Sequence, residues 1–221
     1  MEQTKRITLL CGHYGSGKTN VAVNLALLER KRYERVAIAD LDIVNPYFRS
    51  KDSSADFEEA GIRLICSEYA NSNVDIPALP QDLYAITDDK DLRVLIDVGG
   101  DDRGALALGR LAPGILAENN YEMLMVINRY RPLTRDAAST LEVMAEIEEA
   151  CRIPFSGIVN NSNLGRETTA QDVLSSLPYA EEVARAAGLP VVMTAFDETL
   201  LEELRDKVPH PFPLRLQKKL I

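Results

Sequence analysis

The chain has 221 residues, 46% of them hydrophobic and 27% charged, a balance suited to a soluble globular protein and a length suited to a single domain over 1–221. Its 34 Asp and Glu against 25 Lys and Arg give a net charge of −9, which argues against nucleic acid as a partner, because affinity for phosphate backbones rests on clustered cations. No apolar run approaches the roughly 18 residues that span a bilayer, so a membrane partner is not expected either.

The N-terminal residues pass into a strand pattern without the basic segment, apolar core and cleavage site of a signal peptide, so a cytoplasmic protein is the expectation. Apolar runs follow at RITLLC (6–11), RVAIAD (35–40), IRLIC (62–66), LRVLID (92–97), EMLMVIN (122–128), FSGIVN (155–160) and PVVM (190–193). They are nearly continuous rather than alternating, as parallel strands covered on both faces require. Helical patterns lie between them at 17–31, 103–119, 133–150 and 169–187, while 67–90 reads as loop plus a short helix. This alternation predicts an α/β fold: a doubly wound, mostly parallel sheet of about seven strands with helices on both faces. The basic cluster RKRYER (30–35) closes the first helix, where it complements the helix dipole. Cys11, Cys66 and Cys151 are far apart and form no CxxC pair, so each is expected in the core rather than in a disulfide or metal site.

The segment GHYGSGKT (12–19) fits G-x-x-x-x-G-K-[ST], the phosphate loop of P-loop NTPases. Its glycines let successive backbone N–H groups curl around phosphate oxygens. Lys18 is expected to reach the β- and γ-phosphates and the Thr19 hydroxyl to ligate Mg²⁺, with the following helix presenting its positive end. Gly12, His13, Tyr14, Gly15, Ser16, Gly17, Lys18, Thr19 and Asn20 form the expected nucleotide-contacting set. Two further segments end strands with carboxylates. ADLDIVNPYFRS (39–50) places Asp40 and Asp42 two positions apart, on one face of an extended chain at the carboxyl edge of the sheet. VLIDVGGDDRG (94–104) places Asp97 to hold Mg²⁺ through water, with a glycine amide after it to sense the γ-phosphate.

Together these segments resemble the MinD/ParA/CobQ–CobB branch of the P-loop ATPases, which includes the nitrogenase iron protein and CooC-type metallocentre ATPases. The similarity runs through most of the chain, from GHYGSGKTNVAVNLAL through DLDIVNPYF, LIDVGGDDRG and VINRYRPLTRDA (126–137) to GIVNNSN (157–163). The resemblance implies that Asp42 helps position the attacking water and Mg²⁺. It also puts Asp97 and Gly100 in the second switch, and it makes Asn161, with Asn160 as the alternative, the reader of the adenine edge. It further implies ATP and Mg²⁺ as ligands and a homodimer as one possible assembly.

The family's usual loop is G-K-G-G-x-G-K-T, whose first lysine reaches across a dimer to the partner's nucleotide. This chain carries His13 in that place and Tyr14 in the next. A neutral imidazole does not replace an obligatory cation at pH 7, so Arg129, Arg131 and Arg103 are the candidates to supply that charge. The activity expected is slow ATP hydrolysis, with Lys18 and Asp42 as the catalytic pair, driving a switch read by a protein partner still to be identified. A dethiobiotin synthetase-like kinase or ligase, with 67–90 near its acceptor, is the alternative. The tail PLRLQKKLI has no single apolar stripe, so a MinD-like membrane helix is not expected there.

Overall fold

The computed structural model describes residues 5–41, 54–66, 81–100 and 102–216. In chain order these form β1 (Ile7–Cys11), α1 (Lys18–Arg30), β2 (Val36–Leu41), α2 (Ser54–Ala60), β3 (Arg63–Cys66), α3 (Gln81–Asp88), β4 (Arg93–Val98) and α4 (Asp102–Gly109). The second half adds α5 (Ala112–Glu118), β5 (Tyr121–Ile127), α6 (Ala137–Cys151), β6 (Gly157–Asn160), α7 (Ala170–Ala187), β7 (Val191–Asp197), α8 (Leu201–Leu204) and β8 (Pro211–Leu214). One eight-stranded sheet of order β3-β2-β4-β1-β5-β6-β7-β8 holds every strand, and all seven pairings are parallel. The chain winds outward from β1 to β2 and β3, returns through β4, and then reverses to β5 on the other side of β1. The carboxyl ends of the strands therefore flank β1 at the reversal point, where open α/β sheets bind ligands.

The continuous apolar runs have a direct cause. Ile7, Leu9 and Cys11 face one core, shared with Leu108, Ile115, Met144 and Val183 from the helices α4 to α7. Leu10 faces the other, shared with Val21, Ala22 and Leu25 of α1 and Phe57 of α2. Period-two alternation is present in space, but both faces are dry, so every position of β1 is buried.

Two features differ from the sequence reading. The pattern 103–119 is two helices rather than one, broken at Gly109–Leu111, where a Cβ on Gly109 would stand 3.2 Å from the Ala150 carbonyl and where Pro113 opens α5. An eighth strand, PFPL, closes the sheet. Proline is tolerated there because β8 is an edge strand, and an edge leaves alternate backbone N–H groups without a ladder partner.

At the amino edge of the sheet, the buried Arg6 ties three segments together. Its Nη1 donates to the carbonyls of Ile86 (3.1 Å), Asp89 (3.1 Å) and Leu92 (2.8 Å), while Nε and Nη2 pair with the Glu118 carboxylate. Glu118 also accepts from Lys90 Nζ at 2.7 Å. Arg6, with help from Lys90, holds the Glu118 carboxyl below the usual carboxylate range. That stabilisation is intact above the usual range and is lost as pH falls through the lower native value. Arg6→Met is expected to lower unfolding free energy by about 3–5 kcal/mol in urea titrations, because it strands three carbonyls and leaves the half-buried Glu118 carboxylate with Lys90 alone. The same variant should lose part of the acid sensitivity that the wild-type protein shows.

Candidate nucleotide site

The loop between β1 and α1 is shaped by close approaches. Gly12 has φ +148°, and a Cβ there would lie 2.4 Å from the Val126 carbonyl oxygen of β5. Gly17 has φ +86°, and its Cβ would lie 2.3 Å from Asn161 Nδ2. At Gly12 no other residue fits without moving the β5 backbone, and at Gly17 a Cβ would displace the Asn161 side chain and strain the left-handed backbone. Gly17 also serves as N-cap of α1 without a side-chain cap bond, so the first turn keeps its N–H groups facing out at the positive end of the helix.

Lys18 and Thr19 open α1 and are both buried. Among the described residues Lys18 makes one hydrogen bond, a 3.3 Å contact from Nζ to the His13 carbonyl, and no ion pair. The buried Ser16 Oγ has no hydrogen-bond partner among the described residues. His13 is half-buried, with Nδ1 3.1 Å from the Tyr14 carbonyl, which can only accept, so Nδ1 carries the hydrogen in this arrangement. Tyr14 is exposed and Gly15 half-buried. Burial pushes the Cys11 thiol, immediately before the loop, well above its ordinary pKa, which disfavours a metal-binding thiolate.

Two neighbouring strands bring carboxylates to the same place. Asp40 of β2 and Asp97 of β4 are register partners, adjacent on one face of the sheet, and both are buried. That cross-strand pair was not legible in the sequence, where Asp40 was read beside Asp42. Asp42 itself lies outside the described residues. Gly100 packs on the phosphate loop: a Cβ there would stand 2.6 Å from the Tyr14 nitrogen and 3.0 Å from the His13 carbonyl carbon. Gly104 packs in turn on Gly99, with a Cβ 2.7 Å from its Cα.

The loop after β6 supplies the fourth wall. Asn160 is used up structurally: its Nδ2 donates to Ser176 Oγ at 2.9 Å and its Oδ1 accepts from Ser162. Asn161 Nδ2 donates to the Ser16 carbonyl at 2.7 Å, leaving Oδ1 without a hydrogen-bond partner among the described residues. Of the candidate arginines, Arg131 Nε donates to the Gly15 carbonyl at 2.9 Å, whereas Arg129 is committed to the Ser175 carbonyl at 2.5 Å. The side chain of Arg103 lies outside the described part. A cavity of about 180 Å³ runs over the loop, lined by Lys18, Thr19, Asn20, Arg131, Asn161 and, unanticipated from the sequence, Asn163, Gly165, Leu214 and Leu216.

The family described as the CobQ/CobB/MinD/ParA nucleotide binding domain matches residues 7–189. Solved structures share the fold at low identity. The Thermotoga maritima cell division protein FtsY has 20% identity and a TM-score of 0.57 over 90% of this chain and 64% of its own. Chloroplast FtsY from Physcomitrella patens has 16% identity and a TM-score of 0.59 over 88% of this chain and 59% of its own. The signal recognition particle 54 kDa protein from Aeropyrum pernix K1, in complex with GDP, has 19% identity and a TM-score of 0.53 over 86% of this chain and 41% of its own. The chain thus spans less than two thirds of the length of each. No curated protein matches it significantly. A phosphate loop on the first strand of a parallel sheet, together with the family match, identifies the chain as a nucleotide-binding P-loop member of the CobQ/CobB/MinD/ParA family.

Proposed function

We propose that this chain is a Mg²⁺-dependent ATPase that acts as a nucleotide switch for a protein partner. The observation that carries the reading is Lys18: a buried ammonium with one long bond to a carbonyl and no carboxylate partner among the described residues. Burying an ammonium so poorly partnered is costly unless an anion completes the site. The N–H groups of the phosphate loop and of the first turn of α1 supply the remaining donors for that anion, and a phosphate chain fits all of them.

The donor set also suits Mg²⁺, since the Thr19 hydroxyl and two buried carboxylates, Asp40 and Asp97, are hard oxygen ligands that would hold it. Bound there with the nucleotide, Mg²⁺ neutralises charge on the β- and γ-phosphates. Asp42, by resemblance, orients the attacking water. Lys18 and the loop amides stabilise charge on the transferred phosphoryl group. Arg131 is suited to the task that family members give to a partner's lysine, because its Nε bond to Gly15 anchors the guanidinium over the loop from within the same chain. Gly100, pressed on residues 13 and 14, transmits movement of the loop to Gly99, Gly104 and α4, whose Leu106 is 58% exposed and available to a partner.

Asn161 favours adenine over guanine. The Ser16 carbonyl can only accept, so it fixes the Asn161 amide with Nδ2 toward the loop and leaves Oδ1, an acceptor, for the base. Adenine presents the N6 amino donor on its outer edge, and guanine presents the O6 acceptor.

Purified protein should hydrolyse ATP slowly with Mg²⁺, and Lys18→Ala should abolish turnover; full activity in that variant overturns the reading. Arg131→Ala is expected to lower kcat by on the order of a thousandfold with little change in KM, as loss of a charge acting in the transition state does. Wild-type turnover per chain should be independent of protein concentration, whereas turnover rising with concentration would point to a charge supplied across a dimer. In competition, ATP should displace a bound fluorescent ATP analogue better than GTP does, and Asn161→Asp should leave that preference in place while Asn161→Leu removes it.

A further inference from the structure

The sequence continues from the phosphate loop as TNVAVNLAL (19–27), and the role assigned to Lys18 and Thr19 leaves Asn24, one turn beyond Asn20, without a task. The structure gives it one. Asn24 Nδ2 donates to the Asn20 carbonyl at 2.8 Å and to the Arg215 carbonyl at 3.0 Å, and Asn24 Oδ1 accepts from the Arg215 N–H at 2.9 Å. Both hydrogens of the amide and its oxygen are engaged. A helix side chain thus holds the donor and the acceptor of one residue just past the edge strand of the sheet, in the two-point manner of a neighbouring strand.

The position of that residue follows from the edge chemistry of β8. Thr194 N donates to the His210 carbonyl at 2.9 Å, which turns the polar backbone groups of residues 210, 212 and 214 toward β7 and those of 211, 213 and 215 toward the free edge. Pro211 and Pro213 have no N–H to offer there. Arg215 is the first residue on that edge with an N–H, and Asn24 takes it. The same alternation puts Phe212, Leu214 and Leu216 on the opposite register, where Phe212 and Leu214 pack with Val126, Val159 and Ala195 and where Leu214 and Leu216 line the cavity over the phosphate loop. Asn161, with its acceptor open among the described residues, lines the same cavity.

We propose that Leu214 and Leu216 form the apolar wall against which the nucleobase lies, and that Asn24 is the positioning residue that fixes this wall relative to the phosphate loop. The inference rests on the nucleotide reading above and adds the base subsite to it. One helix turn then sets two distances at once. Its start, at Lys18 and Thr19, faces the phosphates, and its second turn, at Asn24, places the strand that meets the base. A base seated between Asn161 and the two leucines gains apolar contact on its face and a hydrogen bond on its edge, the usual composition of a small-molecule pocket.

The test separates base from phosphate. Direct binding to full-length wild-type protein, Asn24→Leu and Leu216→Ala is measured by calorimetry with Mg²⁺-ATP and, separately, with Mg²⁺-tripolyphosphate, which has no base. Both variants are expected to bind ATP about tenfold more weakly while keeping tripolyphosphate affinity within about twofold of wild type. Asn24→Asp, which keeps the acceptor for Arg215 N–H but loses both donations, should fall between wild type and Asn24→Leu. Equal losses for the two ligands, or an unchanged ratio in either variant, overturn the inference while leaving the phosphate site standing. Wild-type protein that binds neither ligand overturns the nucleotide reading and this one with it. Should Asn24→Leu fail to fold, Leu216→Ala alone decides the wall.

Discussion

At the carboxyl end of β1, three glycines carry the close approaches between the phosphate loop and its neighbours, two of them against backbone and one against a side-chain amide. Gly12 lies on the Val126 carbonyl of β5, Gly17 on the amide of Asn161 after β6, and Gly100 on the backbone of His13 and Tyr14. The phosphate loop is pressed from behind by β5 and braced at both sides in this way. Gly12 and Gly17 also occupy positive φ, so the backbone angle disfavours a Cβ at both, and at Gly12 the β5 carbonyl leaves no space for one. The loop is therefore preorganised by tertiary contact rather than by its own sequence, and its anion-binding geometry costs no reordering when a ligand arrives.

The sheet was legible because its physics is local. Parallel strands buried on both faces produce unbroken apolar runs, and seven of the eight strands announce themselves in that way. β8 does not, since PFPL carries two prolines that argue against a strand everywhere except at an edge, and an edge is a property of the finished sheet. The break between α4 and α5 was hidden for a related reason: Gly109 is excused by its approach to the end of α6, which no local pattern records. The phosphate loop was readable as a motif, and Arg131 was readable as a candidate cation. The pairing of Asp40 with Asp97 was not, because strand order decides it, and β4 inserts between β1 and β2 only in three dimensions. Leu214 and Leu216 were seen as a tail without an apolar stripe. They become a cavity wall because the period that matters there is two, not 3.6.

Net charge sets the background for the site. A protein at −9 repels a polyanionic nucleotide at long range, so capture depends on short-range donors that are shielded from that field. Lys18 is buried, where its attraction for phosphate is least screened by water, and Arg131 is tethered to Gly15 at the exposed rim of the cavity. Several other basic groups hold structure. Arg6 satisfies three carbonyls and Glu118, Arg129 caps the Ser175 carbonyl, and Arg35 pairs with Asp89 at 2.5 Å.

The substitution of His13 for the family's lysine then has a coherent place. A lysine at that position extends away from its own nucleotide toward a second chain, whereas the His13 ring folds back, with Nδ1 on the Tyr14 carbonyl, and its own carbonyl receives Lys18. The loop spends residue 13 on holding its internal shape. The charge that the lysine would have brought from outside is available from Arg131, which reaches the loop from the turn before α6 and needs no partner to be in position. A cation delivered within the chain is present whether or not a second copy has docked, so it cannot by itself make hydrolysis conditional on assembly. For the proposed ATPase, any such condition would have to act elsewhere, and the contact of Gly100 with residues 13 and 14 is one place where the loop meets the segment that leads into α4. Under that proposal, control would pass from a lysine exchanged between subunits to a backbone contact within one.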